Sequence, residues 1–270
     1  MLIGIIILIY PKIVKDISQK RELKCIKNYK TSVENTEEEY KNSEYEKAMI
    51  YNETLNGNIV GVKNDEYNNI LNLSQNGVMA YIEITKISVY LPIYHGTQDS
   101  DLKQGIGHIE NTSFPIGGKS THCVLVGHTG LIKSKIFTRL KELQIGEEVN
   151  IYTLDKKIKY KVYQTKVVLP QEANEFEIQE NKDILTLVTC TPIGINTHRL
   201  LVECERMDDD VNALDEKNEE EFRENKEKYH LTKNVYILII ALIVIFCCIL
   251  LKKIVKYIQK VRKRKWTFWQ

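Results

Sequence analysis

Apolar and polar positions change rhythm several times along the chain. The first ten residues, MLIGIIILIY, are apolar, and the run ends at Pro11 and Lys12. Residues 16–52 are polar, rich in Lys and Glu, and free of Pro and Gly. That pattern predicts one or two exposed helices, a stalk rather than part of a core. Residues 53–77 carry the turn signals Asn56-Gly57, Gly61, Asn68-Asn69 and Asn76-Gly77 without strong periodicity. From residue 78 the texture becomes that of strands. VMAYIEI, SVYLPIY, HCVLVGH, EEVNIYTL, KIKYKVYQTKVVL, DILTLVTC and HRLLVEC are short runs of β-branched and aromatic residues with turns between them. In KIKYKVY the lysines alternate with apolar positions, the period of two that a half-buried strand requires. SKIFTRLKEL supplies one short helix. Seven or eight strands in about 130 residues predict an all-β domain, a closed barrel or a sandwich. Acids dominate again over residues 203–228, a solvated linker. There is no internal repeat.

A second apolar run, VYILIIALIVIFCCILL at 235–251, has seventeen residues with no charge and no proline. It makes about 25 Å of helix without a polar face, close to the hydrocarbon thickness of a bilayer, and predicts a membrane span. Eight basic residues and no acid follow in 252–270, so the positive-inside rule puts this tail in the cytoplasm and everything before residue 235 outside. Ten apolar residues at the start are too few to span. Without a basic start or a small-residue cleavage site they fit a signal anchor (1–14) whose beginning is missing better than a signal peptide.

Composition narrows the classes. With 43% apolar and 27% charged residues the chain can bury a core, which excludes disorder as the whole answer. Five prolines and thirteen glycines exclude collagen-like sequence. The net charge of +2 hides an asymmetry: setting the eight tail cations aside leaves 30 basic against 36 acidic residues, a net −6. An acidic body argues against a nucleic-acid-binding face. Six cysteines build no disulfide framework. Cys247 and Cys248 fall in the apolar run and Cys25 lies near the other end, which leaves Cys123, Cys190 and Cys204 for the body, without zinc spacing. No metal site and no cofactor are indicated.

Three residues carry candidate chemistry. Cys190 closes the strand DILTLVTC just before a Pro- and Gly-containing loop, where a sulfur can stand at a rim. His128 closes HCVLVGH between Gly127 and Gly130, which leave its imidazole uncrowded. Arg199 opens HRLLVEC, and an antiparallel pairing across the loop sets it beside Cys190. Singly, each is more often structural. Together a thiol, a base and a fixed cation at neighbouring strand ends form a kit for nucleophilic acyl transfer. His95, His108, His122 and His230 read as structural, with His122 and His198 in reserve.

TLVTCTP at 186–192, NTHR at 196–199 and THCVLVGH at 121–128 resemble the sortase family in both order and spacing, over about half of the chain. LPIYHG at 91–96, GIGH at 105–108 and the C-terminal apolar run resemble class C, the pilin-polymerising branch. The resemblance implies an eight-stranded closed β-barrel outside a Gram-positive cell, which cleaves an LPXTG-type sorting signal between Thr and Gly and passes the acyl group to an amine. It implies Cys190 as nucleophile, His128 as general acid and base, and Arg199 as the group holding substrate and oxyanion. The expected partners are LPXTG-bearing surface or pilin proteins and a pilin lysine or cell-wall peptide as acceptor. One departure stands out: class C carries an Asp-Pro-aromatic lid, whereas residues 41–77 contain no proline, so the lid is absent or replaced by a segment such as Asn64-Asp65-Glu66-Tyr67. The resulting organisation is an anchor (1–14), a helical stalk and lid-like region (15–77), a catalytic barrel (78–206), an acidic linker (207–234), a membrane span (235–251) and a basic tail (252–270). Three other readings compete: anchoring of surface proteins to cell-wall peptide, a hydrolytic cysteine protease, and a tethered ectodomain without catalysis. A papain-type protease needs a cysteine opening a helix ahead of its histidine, the reverse of the order here.

Overall fold

All seven runs read as strands form strands. The computed structural model describes residues 2–57, 66–130, 136–174 and 176–207. It has β1 (Val78–Ile84), β2 (Val89–His95), β3 (Ile106–His108), β4 (Thr121–Val126), β5 (Glu148–Thr153), β6 (Lys156–Val168), β7 (Asp183–Thr191) and β8 (His198–Arg206). These close into a barrel in the order β1-β2-β3-β4-β7-β8-β6-β5. Closure leaves no unpaired sheet edge. Of the two arrangements open to the strand pattern, the barrel is the one formed.

Alternation divides β7 between two apolar environments. Leu185 and Leu187 of β7 join Cys123, Leu125, Leu200, Val202 and Cys204 in the cluster that fills the interior. Val188 of the same strand packs outside with Val124, Leu201 and Ala173.

The N-terminal segment is helical, as its lack of Pro and Gly over 16–52 predicted, but it is not a free stalk. Helix α1 (Leu2–Asn35) runs without interruption past residue 14, and α2 (Glu38–Leu55) follows. Ile26, Tyr29 and Val33 of α1 bury their side chains against Val78, Tyr81 and Tyr94 on the outside of the barrel, each worth roughly 1.5–3 kcal/mol. The Tyr29 hydroxyl donates to the Met79 carbonyl (2.9 Å) and accepts from the Leu154 N–H (2.8 Å). Ala48 and Tyr51 of α2 join the barrel core. Asn52 brackets the Phe114 backbone, its Oδ1 accepting the N–H at 2.7 Å. The stalk expectation failed because a Lys/Glu-rich helix needs only a few apolar residues at helical spacing (26, 29 and 33 here) to bury one face. Among the described residues no helix is long and apolar enough to cross a membrane. The linker, membrane span and basic tail (208–270) lie outside the described residues.

The short helix expected in SKIFTRLKEL reduces, in its described part, to a 3-10 turn at Leu140–Glu142. A four-residue helix α3 (Asp99–Leu102) and β3 have too few residues to show a period.

Two histidines read as structural are core elements. His108 Nε2 donates to the Ser113 carbonyl (2.9 Å), so Nδ1 is free to accept from the Tyr67 hydroxyl (2.8 Å). The ring stacks on Phe114 with centroids 5.4 Å apart. Burial pushes its pKa down to about 4, and nearby His95 acts in the same direction. A histidine titrating near 6.5 when unfolded therefore favours the fold above that pH. Roughly 3 kcal/mol is lost as pH falls from 6.5 towards 4, because the unfolded chain then binds the proton more readily. Replacing His108 with Gln keeps a donor for Ser113 and removes the titration. The thermal midpoint of this variant should fall less steeply between pH 6.5 and 4 than that of wild type. Parallel curves would rule out His108 as a source of acid lability.

Candidate active site

The antiparallel pairing of β7 with β8 sets Cys190 opposite Arg199. Residues opposite one another in a ladder project from the same face. Cys190 lies two positions beyond Val188 and Arg199 two before Leu201, so both stand on the outer face. The intervening loop is a tight turn held by Ile195 and Asn196 N–H donation to the Pro192 carbonyl (3.1 and 2.9 Å).

His128 reaches the same end of the barrel by another route. β4 and β7 run parallel, with Val126 level with Val188. The ladder continues one bond further, from the Gly127 N–H to the Val188 carbonyl (3.0 Å). His128 thus lies two residues past Val126, as Cys190 lies two past Val188. Its backbone is held on both sides: the Thr189 hydroxyl donates to Gly127 O (2.7 Å), and the Phe137 N–H donates to His128 O (3.0 Å).

Gly127 makes that clamp possible. A Cβ there would lie 2.6 Å from Phe137 Cδ2 and 2.7 Å from Ile136 Cγ2. Gly127→Ala should therefore cost about 1–3 kcal/mol of stability through overpacking. It should also cut activity more than the stability loss explains, since the methyl pushes apart the segments that hold His128. Thermal melts beside initial rates would check this; a variant with wild-type melt and rates would show the contact to be unimportant. Gly130, at φ +74, faces Ile193 Cγ2 so closely that a Cβ would sit at 2.8 Å. The loop after β4 therefore touches the loop between β7 and β8.

All three candidate side chains have solvent access. Cys190 and Arg199 are half-buried, and the His128 side chain is 32% exposed. The other barrel cysteines differ: Cys123 and Cys204 are buried, and burial pushes both thiols up, away from thiolate formation. One Arg199 guanidinium nitrogen, Nη1, donates to the Asn196 and His198 carbonyls (3.1 Å each), which fixes the group above its own turn. Below the site the outer face of the sheet is apolar and buried: Val124, Val188 and Leu201 pack under Ala173 and Phe176 of the β6–β7 connection. A thiol, an imidazole and a fixed cation at one end of the barrel suit attack on a peptide carbonyl.

The Sortase domain family model matches residues 82–207. Sortase C1 from Streptococcus agalactiae superposes with a TM-score of 0.65 at 38% identity, covering 69% of this chain and 100% of that one. The chain belongs to the sortase family. Sortase C from Clostridium perfringens, solved with the C-terminal cell wall sorting motif, gives a TM-score of 0.61 at 40% identity over 69% of this chain and 99% of its own. These solved neighbours are of the class C type. Sortase D of Bacillus subtilis (strain 168) is 32% identical over 113 residues, 42% of this chain and 54% of that protein. The chain spans about half the length of the curated relatives it matches.

Within this sortase fold the reserve histidines fall elsewhere. His122 is buried at the start of β4, Nδ1 donating to Glu177 O and Nε2 accepting from the Thr186 hydroxyl (2.8 Å each). Both its nitrogens are engaged, and burial pushes its pKa down. His198 pairs with Thr191, one step past Arg199. Tyr67, the aromatic of the candidate lid segment, is buried in the core, where its hydroxyl also accepts from the Gly96 N–H (3.0 Å). It is therefore not free to act as a lid; Asn64 and Asp65 lie outside the described residues. One charged group at the site had no signal in the sequence: Asp99, whose Oδ1 is 3.6 Å from His128 Nε2.

Proposed function

We propose that this chain is a cysteine transpeptidase acting on an LPXTG-type sorting signal. The observation that carries the reading is the register: Cys190 opposite Arg199, with His128 level on the parallel neighbouring strand. In this reading the Cys190 sulfur attacks the Thr carbonyl carbon. Arg199 stabilises the oxyanion, and His128 gives its proton to the Gly nitrogen as the Thr–Gly bond breaks. The thioester that remains is attacked by an amine, whose proton passes to His128 as the sulfur leaves. The clostridial neighbour solved with a sorting motif supports this substrate class.

The acceptor we propose is a pilin lysine, on the strength of the class C neighbours; cell-wall peptide is the second choice. We further propose that the chain is held in the cell membrane by residues 235–251, with the barrel outside and the basic tail in the cytoplasm, as the apolar run and its eight following cations imply.

Incubation of the full chain with an LPXTG peptide and either a pilin-derived lysine peptide or triglycine tests the reading. A new peptide bond to the lysine amine is expected, in preference to triglycine. Hydrolysis alone in the presence of either amine would make the protein a protease instead.

A further inference from the structure

Helix α3 brings an acid to His128 from a part of the chain that the three candidate residues do not include. Leu102 at its end is buried, and a Cβ on Gly107 would lie 2.9 Å from Leu102 Cδ2. Gly107 in turn pairs with Val126, two residues before His128. The helix is thus fixed beside the strand end from which His128 emerges. Within it the Asp99 carboxylate is divided between two partners: Oδ2 is taken by the Lys103 ammonium one turn on, and Oδ1 faces His128 Nε2 at 3.6 Å. Both partners hold the Asp99 carboxyl below its usual range, Lys103 the more strongly.

We propose that Asp99 is a positioning residue for His128, Lys103 turning its carboxylate so that Oδ1 receives the Nε2 proton. This rests on the reading of His128 as the proton carrier. A carboxylate facing Nε2 favours the tautomer with its proton there and leaves the Nδ1 lone pair for chemistry at Cys190. The charged or titratable groups on the elements at this end of the barrel include Asp99 and Asp101 on α3, Lys103 just after it, Cys190 on β7, and His198 and Arg199 on β8. Among the described residues, Asp99 is the acid whose carboxylate lies within 4 Å of His128 Nε2. At 3.6 Å the contact is longer than a hydrogen bond, as catalytic contacts without substrate commonly are, and closes by a few tenths of an ångström.

Two readouts on the full chain test this. Asp99→Asn should lower kcat for LPXTG peptide cleavage about tenfold with KM changed less than twofold, and Asp99→Glu should recover most of the loss. Independently, nitrogen-15 spectra of histidine-labelled protein, with His128 assigned through His128→Asn, should show the Nε2–H tautomer of His128 in wild type and a mixture in Asp99→Asn. The spectra need no turnover, so wild-type protein inactive on the peptide would sink the functional reading while they still decide the role of Asp99. An unchanged tautomer in Asp99→Asn overturns the proposal whatever the rates do, and so does an unchanged kcat in a protein that turns over.

Discussion

Cys190→Ala is expected to abolish cleavage of an LPXTG peptide, a fall in kcat/KM on the order of 10⁴-fold or more, while the thermal midpoint stays within about 2 °C of wild type. Among the described residues no other thiol can substitute. Cys123 and Cys204 point into the barrel, buried and with their thiols pushed up, and Cys25 is on α1 with its sulfur 3.3 Å from the Tyr94 hydroxyl. The fold is spared because Cys190 is half-buried on the outer face at the end of β7, so removing its sulfur opens no closed cavity. Cys123→Ala should show the opposite profile: a lower melting temperature from a void in the core, and cleavage retained at temperatures where the variant is folded. Peptide cleavage followed by chromatography, beside a melt of each variant, separates the two. Cleavage by Cys190→Ala within tenfold of wild type would end the case for a thioacyl route.

Arg199→Ala should lower kcat/KM by about 10²–10³-fold, the usual loss when a preorganised donor to a developing oxyanion is removed, or roughly 3–4 kcal/mol. Arg199→Lys should recover little of it, to less than about a tenth of wild type. The reason is geometric. The guanidinium already spends Nη1 on the Asn196 and His198 carbonyls, and its planar shape leaves Nε and Nη2 to meet a substrate without letting go of the turn. An ammonium has three donors on one flexible atom and cannot hold the turn and face the carbonyl at once. If lysine restored full activity, a simple positive charge would suffice and the fork geometry would be irrelevant. If alanine left kcat/KM unchanged, Arg199 would be no part of the chemistry.

The extent to which the site was legible in the sequence follows from how local each contact is. Cys190 and Arg199 lie nine positions apart across one short loop, so strand pattern and turn signals together predicted their pairing. His128 lies 62 positions before Cys190, and nothing in strand periodicity says that β4 lies parallel to β7. Its place at the site came from resemblance to a family, and the register sets it level with Cys190. Asp99 had neither route, because a four-residue helix carries no period and an exposed Asp-Ser-Asp stretch looks like any loop. The docking of α1 was legible in principle. Ile26, Tyr29 and Val33 fall at helical spacing, but the surrounding Lys and Glu lowered the average and hid a stripe only one residue wide.

The sequence by itself determined the local conformations: strands at the seven short β-branched and aromatic runs from residue 78 to 206, helix over the polar 16–52 stretch, and a hairpin that brings Cys190 to Arg199. It determined these because side-chain period, turn chemistry and backbone freedom act over a few residues. Only the tertiary structure decided that the strands close into a barrel, that α1 and α2 pack on it, that Tyr67 is spent in the core, and that His128 and Asp99 meet at the end where Cys190 stands. Those outcomes depend on contacts between residues tens of positions apart, whose loop-closure entropy is offset by the burial of the whole core at once and by no single motif.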